Sequence, residues 1–154
     1  MAEPRRIGSK FYELKIEKIM QRKDVTLIEK DAPIDCILDI LTKETHVWVA
    51  ESKESKKIVG VITEHDALSI LSPRRPPYMF GIPDMRALHR GTAEDIMSRR
   101  LVKCSPKDTV RDVLERMMRH GIRRLPVMKR NNIVGEIRLH QIIKGYSAAL
   151  GKGK

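Results

Sequence analysis

The sequence repeats itself. Glu17-Lys18-Ile19-Met20-Gln21-Arg22-Lys23-Asp24-Val25 is echoed 77 residues later by Glu94-Asp95-Ile96-Met97-Ser98-Arg99-Arg100-Leu101-Val102. Lys30-Asp31 is answered by Lys107-Asp108 and Ile37-Leu38 by Val113-Leu114. Ile58-Val59-Gly60-x-Ile62 is answered by Ile133-Val134-Gly135-x-Ile137. A chain of 154 residues with this self-similarity is a tandem duplication and must fold as two like units. Each copy is about 50 to 60 residues, a size at which a single core is marginal, so the copies are expected to bury apolar faces against each other and to fold poorly alone.

Local patterning gives the same element order in both copies. In the second, Leu101 to Cys104 is a short strand candidate and Ser105-Pro106-Lys107-Asp108 opens a helix. Val110, Val113, Leu114, Met117 and Met118 recur at the spacing of one buried helical stripe, which Gly121 closes. Leu125 to Met128 and Ile133 to Ile137 read as two strands joined through an Asn131-Asn132 turn, because Asn tolerates positive φ. A last helix runs from about Leu139 to Leu150. The first copy repeats this with strands at Val25 to Ile28, Val47 to Ala50 and Ile58 to Thr63, and helices from Ile34 to about Lys43 and Glu64 to Leu71. The unit is β-α-β-β-α, twice.

The expected organisation is an N-terminal helical extension (1–16), repeat 1 (17–72), a Pro- and Arg-containing linker (73–93), repeat 2 (94–150) and a basic tail (151–154). The linker's prolines cannot propagate a helix or central strand. Its Tyr78, Met79, Phe80 and Ile82 suggest that it packs on something. Tyr12, Ile16, Ile19 and Met20 share a helical face, the pattern of a docking helix rather than a membrane anchor.

Charge is unevenly spread. The chain carries 31 Lys and Arg against 20 Asp and Glu, a net +11, yet residues 25–71 are acidic and residues 101–154 strongly basic. Such asymmetry fits either a solvated basic surface or a face for a polyanion. One Trp, three Tyr and two Phe are few for a platform that stacks single-stranded bases. No window nears the roughly 18 apolar residues of a spanning helix, and the first residues lack an apolar signal core, so a cytoplasmic protein without a membrane role is expected. Cys36 and Cys104 form no CxxC and the five histidines no HxxxH, so no metal site is expected. Both cysteines sit among apolar residues and read as small core groups.

Two stretches carry a family resemblance. Ile122-Arg123-Arg124-Leu125-Pro126-Val127 is similar to the His-Arg-x-Pro-Val strand of the CBS (cystathionine β-synthase) domain, and Gly60-Val61-Ile62-Thr63-Glu64-His65-Asp66 to its Gly-x-x-Thr-x-x-Asp strand-to-helix junction. Together with the duplicated order, they make the chain resemble a tandem CBS protein, or Bateman module. The resemblance implies an α/β (α+β) fold, two repeats packed about a pseudo-twofold axis, and two clefts that in many members bind adenosine-containing ligands.

In the better-known members a cleft is composite, and the resemblance carried onto this sequence joins Thr63 and Asp66 to Leu101, Val102, Lys103, Arg123, Arg124 and Pro126. The residue chemistry suits that use. An ionised Asp at a helix start can accept ribose hydroxyl protons, and Arg presents paired donors to phosphate oxygens. Strand backbone can read an adenine edge between apolar walls at Val102 and Pro126. The plainer alternative for Asp66 is an acid that only stabilises the start of its own helix. Arg123 and Arg124 point to opposite sides of a strand, so one or both could face a ligand. The sister cleft has Arg138 for Thr63, Gln141 for Asp66, Thr45-His46 for the Arg pair and Trp48 for Pro126, so one nucleotide site per chain is expected.

The functional expectation is a stand-alone regulatory module that is not an enzyme. It would need no obligatory cofactor, bind AMP, ADP or ATP, form a homodimer and signal occupancy to a partner protein. The alternatives are an S-adenosylmethionine-type ligand, disfavoured by the Arg pair because that ligand is cationic at sulfur, and nucleic-acid binding through the basic second repeat.

Overall fold

A computed structural model of the chain describes residues 8–55, 57–72 and 91–151. The element order is α1 (Ser9–Tyr12), a 3-10 turn (Ile16–Lys18), β1 (Leu27–Glu29), α2 (Ile34–Leu41), β2 (His46–Ala50), β3 (Ile58–Thr63), α3 (Glu64–Leu71), α4 (Ala93–Ile96), α5 (Val110–His120), β4 (Arg124–Lys129), β5 (Asn132–Arg138) and α6 (Leu139–Ala149). The expected packing of the linker through Tyr78, Met79, Phe80 and Ile82 falls outside the described residues.

The chain divides into two compact α+β units, and each takes part of its core from beyond its own sequence repeat. One unit comprises Thr26–Leu101; the other joins Met1–Val25 to Val102–Lys154. Residues 17–25, which sequence similarity groups with repeat 1, are therefore part of the second compact unit. The segment 93–101 is part of the first.

In the first unit β2 is the central strand, parallel to β1 and antiparallel to β3. All five β2 residues are buried, whereas β3 alternates buried and half-buried as expected of a strand covered on one face. Ile37, Val47, Val49 and Ile62 form the core with Ala93 and Met97. The α4 segment is bound by reciprocal Val61–Ser98 backbone hydrogen bonds of 3.0 and 2.9 Å and by Ala93 N donating to Ala32 O at 2.9 Å.

The second unit uses the same joints at the equivalent positions. Gln21 and Glu136 exchange backbone hydrogen bonds of 2.8 and 2.9 Å, and Ile16 N donates to Asp108 O at 2.8 Å. Its core assembles Phe11, Ile16 and Met20 with Val110, Val113, Met117, Leu125, Val127, Ile137 and Ile142. The expected long N-terminal docking helix is instead one turn of α-helix and one 3-10 turn. Phe11, absent from the expected face, is buried and packs edge-on against Tyr12 and Tyr146.

Several local expectations need correction. Only Cys104 of the Leu101–Cys104 stretch pairs as strand, through Cys104 N to Pro126 O at 3.1 Å and Met128 N to Cys104 O at 2.8 Å. Lys129 pairs with Asn132, so the hairpin turn is Arg130-Asn131, and the positive φ of 60° falls on Arg130 rather than on an asparagine. Cys36 is exposed on α2 rather than in the core, while Cys104 is buried. The α5 stripe splits at its end, with Met117 buried and Met118 87% exposed. Gly121 closes α5 in the left-handed conformation, where a side chain would be strained.

Candidate functional site

Helix-start carboxylates organise the candidate residues. Asp66, the third residue of α3, accepts the Thr63 backbone N–H at 2.8 Å and the Thr63 hydroxyl at 3.5 Å, both on Oδ2. This is a capping arrangement that satisfies otherwise unpaired donors at the start of a helix. Thr92/Asp95 and Thr109/Asp112 repeat it with backbone contacts of 2.8 and 3.0 Å. The structural role considered for Asp66 from sequence is thus present, and the carboxylate keeps Oδ1 outside that contact.

Strand register decides which candidates are neighbours within a unit. Thr63 lies opposite His46 across β2 and β3, and Arg138 lies opposite Arg124 across β4 and β5. Thr63 and Asp66 are therefore close to Thr45 and His46. His46 is only 3% exposed, with Nδ1 3.2 Å from the Thr45 hydroxyl and its ring edge-on to buried Trp48. Arg123 and Arg124 sit beside Arg138 and Gln141, the Arg123 carbonyl accepting from Leu139 N at 2.8 Å. Arg123 is exposed and Arg124 half-buried.

The remaining candidates are strand and approach residues. Pro126 is buried within β4, where its carbonyl serves Cys104. Val102 is half-buried against the second unit's core, and Lys103 is exposed with its carbonyl 3.5 Å from the Arg116 guanidinium. Arg116, which the sequence reading passed over, also pairs with Asp108; that hydrogen bond raises its already high pKa. Thr63, Asp66 and Leu101 belong to the first unit, and Val102, Lys103, Arg123, Arg124 and Pro126 to the second.

At the sister position the side chains are engaged locally. Arg138 donates through Nη2 to Gln21 Oε1 at 2.8 Å, and its backbone N–H goes to Gln141 Oε1 at 2.8 Å. Gln141 thus does for α6 what Asp66 does for α3, without the charge. The Arg138 Nε is buried with no hydrogen-bond partner.

Each unit also contains a hollow at the other end of its sheet, past the Ala50 end of β2 in the first and the Lys129 end of β4 in the second. In the first unit about 560 Å3 is lined by β1, Asp31, Ala32, Pro33, Ala50, Ser52 and Lys53. In the second about 430 Å3 is lined by Glu17, Arg22, Ser105, Pro106, Lys107, Lys129 and Val134. Sequence reading missed both, because they are made where loops of separate segments meet. The signal at hand was the repeated charge at Lys30-Asp31 and Lys107-Asp108.

The family model for the CBS domain matches residues 16–73 and 93–148, one match for each repeat. The chain belongs to the CBS domain family. Among curated proteins this CBS pair is similar to the uncharacterised protein MJ1225 of Methanocaldococcus jannaschii, 26% identical over 129 residues. That match takes in 84% of the chain and 41% of the relative, so the chain spans about two-fifths of the relative's length.

The crystal structure of MJ1225, named as a proposed archaeal homologue of g-AMPK, matches at a TM-score of 0.73 and 21% identity, covering 88% of this chain and 48% of that one. The CBS-domain pair of MJ0100, solved with 5'-methylthioadenosine and S-adenosyl-L-methionine, matches at 0.68 and 21%, covering 88% and 97%. An AcuB-type acetoin utilisation protein of Vibrio cholerae matches at 0.70 and 18%, covering 90% and 93%. These likenesses establish the fold of a CBS pair. No helix among the described residues is long and apolar enough to cross a membrane.

Proposed function

We propose that this CBS pair is a regulatory module that binds an adenosine nucleotide, AMP, ADP or ATP, at one site per chain and signals occupancy to a partner protein as a homodimer. The observation that carries the reading is Asp66. It is a carboxylate fixed at a helix start by Thr63, with one oxygen left over to accept a ribose hydroxyl. The adenosine ligands in the CBS pair of MJ0100 support the ligand class. Arg123 and Arg124 favour phosphate over the cationic sulfur of S-adenosylmethionine, because two guanidinium groups attract anions and repel a sulfonium. Leu101, Val102, Lys103 and Pro126 complete the proposed site as backbone and apolar walls. Gln141 in place of a carboxylate supports a single site.

Thermal shift tests this directly. The wild type is expected to be stabilised by an adenosine nucleotide, by about 2.7 kcal/mol at a hundredfold excess over Kd. Asp66→Asn keeps a side-chain acceptor for Thr63 N–H and removes the charge, so its melting temperature without ligand should stay near wild type while its response falls. No response of the wild type to AMP, ADP, ATP, S-adenosylmethionine or NAD would refute ligand binding. An undiminished response of Asp66→Asn would refute the site, and two equivalent sites per chain by calorimetry would refute the stoichiometry.

A further inference from the structure

The two units share a fold but not a charge. The segments of the second unit, residues 1–25 and 102–154, carry 20 Lys and Arg against 8 Asp and Glu, a net +12. Residues 26–101 carry 11 against 12, a net −1. A duplicated fold needs like packing in both halves and sets no requirement on surface charge, so the first unit serves as an internal control for the second.

The hollows concentrate this contrast at one place. In the first unit the equivalent hollow is lined by Glu29, Asp31 and Lys53, with Lys53 3.9 Å from Glu29. In the second it is lined by Arg22, Lys107 and Lys129, with Glu17 as its one acid. Glu17 is already held by Lys107 at 3.2 Å, and that hydrogen bond lowers its pKa, keeping the pair ionised. Among the unit's other described acids, Glu13 pairs with Arg111, Asp108 with Arg116 and Glu115 with Arg119, Asp112 accepts the Thr109 N–H, and Glu136 is buried, while Asp24 is exposed two residues from Arg22. Lys129 is exposed, and the hairpin tip places Arg130 directly after it. With Glu17 spent on Lys107, the lining still has Arg22 and Lys129 in excess of its carboxylates and keeps a net positive charge.

We infer that this basic hollow, with Arg22, Lys107, Lys129 and Arg130 around it, is a docking site for the phosphate backbone of a double-stranded nucleic acid, separate from the adenosine site. Its cations are exposed and hydrated, so each alone holds an anion weakly; a polyanion engages several at once and gains by releasing its condensed counterions. No aromatic ring lines the hollow, so backbone contact rather than base stacking is its chemistry. The opposite ends of the sheets carry the residues of the proposed nucleotide site, leaving the two proposals independent.

Fluorescence anisotropy with labelled 20-base-pair DNA and RNA duplexes tests the assignment on the full chain. Wild type should bind at low salt with log K falling linearly in log salt, the slope reporting about one phosphate contact per 0.9 of slope. Lys129→Glu/Arg130→Glu should weaken binding at least roughly tenfold and reduce the slope by about 2. Lys43→Glu/Lys57→Glu makes the same charge change on the first unit and should alter affinity less than about threefold. Melting curves of both variants should match wild type. The assignment is overturned if neither duplex binds, if the two double variants weaken binding equally, or if vesicles of 70% phosphatidylcholine and 30% phosphatidylserine displace both duplexes. Preference between the duplexes decides which nucleic acid the backbone belongs to.

Discussion

Gly135 and Gln21 touch backbone to backbone. A Cβ on Gly135 would lie 2.5 Å from the Gln21 carbonyl oxygen, well inside van der Waals contact. The same carbonyl accepts Glu136 N–H, so it cannot retreat without breaking that joint. In the first unit Gly60 is approached instead by the Met97 side chain, with Sδ 2.4 Å from the position of a Cβ. Gly135→Ala is therefore expected to destabilise the protein by about 2 to 3 kcal/mol through displaced backbone, and Gly60→Ala by less, because rotation of Met97 moves its Sδ and Cγ away and leaves only its Cβ, at 3.0 Å, to give by a few tenths of an ångström. Urea unfolding of the two variants checks the order; equal effects would show that the Gln21 joint yields as readily as a side chain.

The Asp112 carboxylate accepts the Thr109 backbone N–H and interacts with its hydroxyl, and these hydrogen bonds hold its pKa below the ordinary aspartate value. A carboxyl whose pKa is depressed by folding contributes stability above its unfolded pKa and loses it as the pH falls through the folded one. Asp112→Ala should thus lower stability by about 1 kcal/mol at pH 7, and the gap to wild type should narrow as the solution is made acidic below the usual aspartate range. Denaturant midpoints of both proteins across that range are the measurement, and a gap independent of pH would contradict the assignment.

The two thiols should react very differently. Burial pushes the Cys104 thiol up to about 12, with nearby Asp108 adding to the shift, so almost none is thiolate at pH 8. Cys36 is exposed on α2. One thiol per chain should react promptly with a disulfide reagent in the native protein and both after denaturation. Two prompt thiols would mean that the segment carrying Cys104 opens readily.

Arg130 occupies the left-handed region at the hairpin tip without a glycine's freedom. Arg130→Gly should raise stability by about 0.5 kcal/mol, the relief of strain being partly offset by the greater entropy of glycine in the unfolded chain. Arg130→Ala retains the strain and should not. Thermal melts of the pair separate this backbone effect from the loss of charge.

The boundaries between reading and structure follow from the range of the forces involved. Local periodicity gave α3, β3, α5 and the left-handed Gly121, because side-chain spacing and steric freedom act within a few residues. Even the tightest approaches were written as motif pairs: Ile-Met in one segment, Ile-Val-Gly in another. What the repeat could not say is which Met meets which Gly. Met20 and Gln21 belong with Gly135, and Met97 with Gly60, because chain connectivity and core volume select one of two nearly equivalent pairings.

The same limit applies to the candidate site. The sequence alone determined the duplication, the family, the carboxylate at the start of α3 and the arginines at the start of β4. Tertiary structure decided that Thr63 faces His46 while Arg124 faces Arg138, that Asp66 also caps its own helix, and that two hollows of opposite charge stand past the far strand ends. Sequence spacing fixes what lies on one strand or helix turn, whereas cross-strand neighbours and hollows arise from backbone hydrogen bonds between segments far apart along the chain.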